Sequence, residues 1–327
     1  MSLILDGTLG ATFNDGSNQP AAASPYVLKN RLINGAFAID QRNAGASQTF
    51  TAAAAVVYTV DRWYGSCTGA NITGQRVAGT SPNQYAYKFT GAASNTATLL
   101  GQRIESFNTY DLISTTVTGS VRLSSSSITS VTWTAYYANT SDTFSAKTSI
   151  ATGTLTITST PTVYSFSFNA GANAGNGIAI EFTTGALTAT NTIQYENAQI
   201  EIGSSATPFE RRLYNQELAN CQRYYQLVRI GNCTTAPTTQ TTEMYGQANF
   251  FVPMRTTPTF AQNGIFTFDL PYVTSTSQSS TSSVDSGGLN ANGGGYIILK
   301  NFSGLTLDRT YIPTSTSTNT LLMSAEL

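Results

Sequence analysis

Val131-Thr132-Trp133-Thr134-Ala135-Tyr136-Tyr137 decides the fold. Apolar residues fall on the odd positions and Thr132 and Thr134 between them, the period of two that a strand with one buried face requires. Tyr164-Ser165-Phe166-Ser167-Phe168 repeats the pattern. Working outward, and with these two included, strand-like runs recur at 32–39, 57–64, 85–90, 99–105, 116–123, 130–137, 154–158, 163–168, 178–183 and 192–202, with turn residues between them. About ten strands at this spacing predict an all-β domain over 30–212, a jelly-roll-like β-sandwich.

Composition agrees. Serine and threonine supply 86 of the 327 residues, while charged residues are 10% and aromatics 11%. Disordered chains lack aromatic and β-branched residues, so this is a β-rich surface dressed in threonine rather than charge.

Residues 213–231 carry the helix signal. Tyr214, Leu218, Cys221, Tyr225 and Val228 are spaced 4, 3, 4 and 3, a heptad-like stripe, with Asn215 as the expected N-cap and Gly231 as the expected end. Such a helix either lies on its own sandwich or packs with copies of itself around a trimer axis. Residues 232–327 return to strand-like runs at 244–252, 265–270, 296–301, 310–312 and 320–326 and predict a second, smaller β-sandwich. Between them, 274–283 (TSTSQSSTSS) and 286–295 (SGGLNANGGG) read as exposed loops. At the other end, residues 1–29 read as one short hairpin, 3–5 with 11–13, followed by a linker from Gln19 to Pro25. One short hairpin is marginal alone, so this segment is expected to dock on a partner.

The absence of histidine excludes Ser-His-Asp and Cys-His catalysis and imidazole zinc sites. A net charge of −1 gives no basic footprint for nucleic acid or an anionic membrane, and no apolar run spans a bilayer. Cys67, Cys221 and Cys233 make no disulfide or metal framework and are expected as buried thiols. Ser141-Asp142 resembles a calcium-loop fragment without the ligand spacing such a site needs. No metal, cofactor or catalytic residue is expected. The carboxylates weighed as a glycosidase pair are Asp40, Asp61, Asp111, Glu196 and Glu201. Glu196 and Glu201, five apart on one strand, are expected on opposite faces and roughly 16 Å apart, outside the 5–10 Å a glycosidase needs.

The composition that suits a sugar lies in the loop between Tyr272 and Tyr296. Tyrosine rings cover a pyranose face while amides and carboxylates fix its hydroxyls, and Tyr272, Asp285, Asn290, Asn292 and Tyr296 are the candidate glycan-binding residues. Trp133, Tyr136 and Tyr137 are rival platform residues, with Trp133 expected in the core.

Three stretches resemble bacteriophage tail-fibre and receptor-binding proteins. They are Asn30-Arg31-Leu32-Ile33-Asn34-Gly35-Ala36-Phe37-Ala38-Ile39-Asp40-Gln41-Arg42 with Val60-Asp61-Arg62-Trp63; Ala198-Gln199-Ile200-Glu201-Ile202-Gly203 through Pro208-Phe209-Glu210-Arg211-Arg212 to Tyr224-Tyr225; and Leu5-Asp6-Gly7-Thr8 through Ser17. The resemblance implies a carbohydrate-binding-module-like β-sandwich in a homotrimeric virion appendage. Another tail or baseplate protein would be bound through residues 1–25, and a host surface glycan would be the noncovalent ligand. The alternatives are a purely structural virion component and a glycan depolymerase. Within these motifs Trp63 is expected in the sandwich, Asp61 and Arg62 as an edge pair, and Glu210 paired with Arg211 or Arg212.

Overall fold

The computed structural model describes residues 4–6, 10–12, 18–19, 29–231, 233–235, 241–263, 266–270, 277–280, 283–286, 288–303, 305–313 and 320–327. At the N-terminus β1 (Ile4–Asp6), β2 (Gly10–Thr12) and β3 (Asn18–Gln19) form a three-stranded antiparallel sheet. It is a meander rather than one hairpin, because a third strand follows and reaches Gln19, where the linker is expected to begin.

Twelve strands build the sandwich: β4 (Gln48–Phe50), β5 (Val57–Tyr58), β6 (Trp63–Thr68), β7 (Ile72–Ala78), β8 (Tyr85–Thr90), β9 (Ala97–Ile104), β10 (Thr116–Ser125), β11 (Ser130–Thr140), β12 (Thr143–Thr156), β13 (Thr162–Asn169), β14 (Ile178–Thr184) and β15 (Thr192–Ile202). They divide into two six-stranded sheets, ordered β13-β10-β15-β8-β7-β4 and β12-β11-β14-β9-β6-β5. The inward-facing residues meet as one core. Within it the rings of Trp133 and Phe166 stack at 4.2 Å, and Phe37 and Trp63 lie 4.9 Å apart. The chain is all-β and jelly-roll-like, as the alternation predicts.

Departures from the expected strands have local causes. Residues 32–39 are a looped plug, not a strand. Asn34 and Phe37 take left-handed φ values of 59° and 54°, and the Asn34 amide bridges the backbone of Ile39 and Asp61. Gly35 sits so close to β15 that a Cβ would lie 2.1 Å from the Ala198 carbonyl oxygen. Leu32, Phe37 and Ile39 are still buried. The run at 57–64 splits at Arg62, whose φ is +72°. In β11 the alternation holds from Val131 to Ala135. A bulge follows, with Ile150 of β12 as the extra residue, and Tyr137 is half-exposed rather than inward-buried.

The helix α1 (Tyr214–Gln222) is shorter than expected. It is capped by Leu213 without a side-chain bond rather than by Asn215, and it ends nine residues before Gly231. The chain then turns into β16 (Tyr225–Arg229), which pairs residue for residue with the C-terminal strand. The heptad-like stripe is therefore split. Tyr214, Leu218 and Cys221 lie on α1 and Tyr225 and Val228 on a strand, so the five do not form one helical face for a trimer axis. Cys221, Tyr225 and Val228 are buried within this chain. Five ladder-paired residues with an aromatic and a β-branched side chain favour the strand over another helical turn.

The C-terminal part contains β17 (Cys233–Thr235), β18 (Met244–Asn249), β19 (Thr259–Asn263), β20 (Phe266–Asp269), β21 (Ser277–Ser280), β22 (Ser283–Ser286), β23 (Gly294–Lys300), β24 (Thr310–Pro313) and β25 (Thr320–Ser324). A three-stranded sheet, β16-β25-β19, and a seven-stranded sheet, β21-β20-β24-β17-β18-β23-β22, share a second core that includes Met244, Phe268, Ile297 and Leu321. The serine-rich tract expected as a loop supplies β21, and residues within and beyond it supply β22; these are the two edges of the larger sheet. An edge strand needs ladder hydrogen bonds more than apolar side chains.

Residues 325–327 fasten the two parts together. Glu326 pairs with Arg42 at 2.9 Å and with Arg62, and Tyr58 donates to the Leu327 carbonyl at 2.9 Å.

Candidate functional site: a tyrosine-bearing groove on the C-terminal sheet

The local sequence of β18 sets up the site. Met244, Gly246 and Ala248 point inward, and Gly246 is so close to β17 that a Cβ would meet the Cys233 sulfur at 2.6 Å. Tyr245, Gln247 and Asn249 therefore face the other way. In register, Thr234 lies opposite Tyr245 and Tyr296 opposite Gln247. Tyr245 and Tyr296 are diagonal neighbours, a placement that sets side chains about 7–8 Å apart. With Arg229, Thr234, Gln247 and Asn249 they line a shallow groove of about 600 Å³, within the size range of small-molecule sites.

The groove's polar groups are available. Arg229, Thr234, Gln247 and Asn249 are exposed, and their side chains have no hydrogen-bond or ion-pair partner among the described residues. Tyr296 is 49% exposed. Its ring lies beside Gly288, where a Cβ would come within 3.1 Å of it, so the bare glycine backbone leaves room for the ring. The Tyr245 hydroxyl donates to Glu243 at 3.3 Å, and Glu243 in turn lies 3.8 Å from Lys300. Lost hydration first, and the Glu243 carboxylate second, raise the Tyr245 phenol above its ordinary value.

Of the residues expected to bind a glycan, Tyr296 is in this groove. Asp285 lies opposite Ile298 on the adjacent strand β22. Asn290 and Asn292 are exposed in the turn before β23, where the Asn290 side chain accepts from the Asn292 backbone at 2.9 Å, and they do not line the groove. Tyr272 lies outside the described residues. Tyr245, Gln247, Asn249 and Arg229 were not among the expected residues. The signal for three of them is the alternation of β18 itself, whose outward positions are Tyr, Gln and Asn.

A second cleft, about 170 Å³, lies beside the sandwich between β8, the 36–39 plug and the 209–217 segment, with Tyr85, Phe209 and Tyr214 on its walls. Its polar groups are largely committed to holding the fold. Asn83 donates to Glu196 and accepts from Arg211 at 2.6 Å and Asn197 at 2.7 Å, and Glu210 accepts from the Asn30 backbone at 2.7 Å and lies 3.9 Å from Arg212. Trp133 is core, at 7% exposure.

The carboxylates weighed as catalytic are likewise engaged. Glu196 and Glu201 share one face of the sheet rather than opposite faces, because a bulge at Asn197–Ala198 resets the alternation of β15: Glu196 pairs with Arg122 and Glu201 with Thr118. Four residues of separation on β10 still put them roughly 13 Å apart. Burial pulls the Glu196 carboxyl upward, but hydrogen bonds from Asn83, Thr80 and Gln194 outweigh it and hold it below its ordinary value. Glu201 accepts from Thr207 and Gln199. Asp40 accepts from the backbone of Asn43 and Gly45, and Asp111 pairs with Arg31. Asp61 bonds Gln41 rather than Arg62, and burial raises its carboxyl to about 6. Asp142 accepts from Ser106 at 2.7 and 2.9 Å. Among the described residues no group of three or more acidic or cysteine side chains converges as a metal site, all three cysteines are buried and free, and no helix is long and apolar enough to cross a membrane.

No family model and no curated protein sequence matches this chain. Solved structures show a likeness over about half of the chain. TmCBM61 in complex with β-1,4-galactotriose aligns at 12% identity and a TM-score of 0.35, covering 54% of this chain and 99% of its own. The CBM22-1 xylan-binding domain of Paenibacillus barcinonensis Xyn10C aligns at 11% and 0.30, covering 50% and 99%. The enzymatically active domain of bacteriophage CBA120 tailspike protein 4 aligns at 11% and 0.32, covering 53% and 21%. With identities and scores this low, these likenesses carry no functional argument; the side chains of the groove have to supply it.

Proposed function

We propose that this chain is a noncovalent glycan-binding adhesin whose ligand lies across the groove of the seven-stranded sheet. The observation that carries the reading is the combination of two outward tyrosines with four exposed, uncommitted polar side chains in one groove. Rings of this kind cover the apolar face of a pyranose, and free amides, a hydroxyl and a guanidinium have hydrogen bonds left to give its hydroxyls. The fibre-like motifs of residues 30–225 support placing the adhesin in a phage tail appendage. There it would act as a homotrimer on a host surface glycan, with residues 1–25 joining another virion protein. Three weak sites on one particle raise avidity through effective concentration. A glycan array probed with the full chain tests the reading. Binding to at least one oligosaccharide class, lost in Tyr245→Ala, is the expected result; a folded chain that binds nothing on the array contradicts it.

A further inference from the structure

Resting on that reading, we infer that the preferred glycan is acidic and that Arg229 is the residue that selects its carboxylate. Arg229 ends β16 at the rim of the groove and is the one formally charged residue in its lining among the described residues. It is exposed and has no acidic partner among the described residues. Glu243, which accepts from the Tyr245 hydroxyl, faces Lys300 at 3.8 Å, so that pair is balanced, and among the described residues no acid lines the groove to oppose the guanidinium. The chain as a whole has only 16 basic residues. Among the described arginines, Arg31, Arg42, Arg62, Arg76, Arg122, Arg212 and Arg223 lie within 4 Å of carboxylates. Arg103, Arg211 and Arg255 instead donate to carbonyl or amide oxygens, and Arg309 is partnered as well. Arg229 has neither kind of partner among the described residues, at the place where two tyrosine rings are presented.

A guanidinium is a planar fork that takes a carboxylate by two parallel hydrogen bonds. A neutral sugar offers it only hydroxyls. The tyrosines then hold the ring of a uronic or sialic acid residue, Gln247 and Asn249 take its hydroxyls, and Arg229 takes the carboxylate.

The test is a set of paired oligosaccharides, hexuronate and sialyl oligomers, each presented with its carboxyl-reduced neutral counterpart, and binding measured with the full chain. The acidic member of a pair is expected to bind about tenfold more tightly, the size of one charge-assisted contact, and the margin is expected to shrink as salt rises. Arg229→Gln is expected to remove the difference between the members, and Arg229→Lys to retain part of it, with thermal melting as the folding control. Equal affinity within every pair, or a preference that survives in folded Arg229→Gln, overturns the inference while leaving glycan binding in place. Failure of both members of every pair overturns the inference, and failure on the glycan array as well overturns the reading on which it rests.

Discussion

Replacing Glu326 by glutamine should unfasten the two halves of the molecule. The Glu326 side chain is only 6% exposed and receives Arg42 at 2.9 Å and Arg62 on its other oxygen. Arg62 is 1% exposed, its guanidinium lies 3.5 Å above the Tyr224 ring, and it donates to the Arg103 carbonyl at 2.6 Å. Burial would lower the Arg62 pKa, but Glu326 raises it above its ordinary value, so the guanidinium stays charged and depends on that carboxylate. Removing one partner of a buried pair costs about 3–5 kcal/mol, because the other charge is stranded away from water. Glutamine keeps one acceptor oxygen, so the lower end, about 3 kcal/mol, applies. For a domain of this size that is about 6–12 °C in melting temperature. Urea titration and calorimetry of the full chain measure it. The double variant Glu326→Gln/Arg62→Met, which removes the stranded charge, should cost at least about 2 kcal/mol less than the sum of the two single changes. A Glu326→Gln chain within 1 kcal/mol of the unaltered one, with no coupling in the cycle, would mean that water reaches this pair and that the fastening lies elsewhere.

Other outcomes follow from the same contacts. Gly35→Ala places a Cβ 2.1 Å from the Ala198 carbonyl oxygen and is expected to cost on the order of 3 kcal/mol in urea, whereas Gly185→Ala, with nothing within 4 Å, should stay within about 0.5 kcal/mol. Asp61, raised to about 6 by burial, binds a proton in the folded state before it does so unfolded, so its contribution is present at low pH and lost as pH rises through 6. Stability should gain about 1.4 kcal/mol from this group between pH 7 and 5. Asp61→Asn should lack that increment, and identical pH slopes for the two chains would contradict it.

Much of the fold was legible because a period-two pattern does not depend on distant parts of the chain. Val131 to Ala135 alternates in the sequence and in the sheet alike. The exceptions are places where a distant contact overrides local pattern. Leu32, Phe37 and Ile39 are spaced like strand residues and are buried, but Asn34 and the close approach of Gly35 to Ala198 turn them into a plug. Tyr225 and Val228 fit a helical stripe as well as a strand, and the pairing with Thr320–Ser324, nearly a hundred residues later, decides. The bulge at Asn197 reversed the expected facing of Glu196 and Glu201 through a single residue at φ 47°. At the groove, Tyr296 was legible as an aromatic beside a polar loop. Tyr245, Gln247 and Asn249 were present in the alternation of β18, but only the register with β23 brings them beside Tyr296.

Glycan binding in the groove is tested by comparing three single variants, Tyr245→Ala, Tyr296→Ala and Tyr214→Ala, in equilibrium binding to the oligosaccharide that the full chain binds best. Melting curves confirm that each is folded. Each ring that stacks on sugar contributes on the order of 1 kcal/mol beyond its buried area, or about fivefold in affinity. Tyr245→Ala and Tyr296→Ala are each expected to lose at least that much, while Tyr214→Ala, in the cleft beside the sandwich, binds like the unaltered chain. A folded Tyr214→Ala that loses binding while both groove variants keep it would place the glycan in the sandwich cleft and not in the groove.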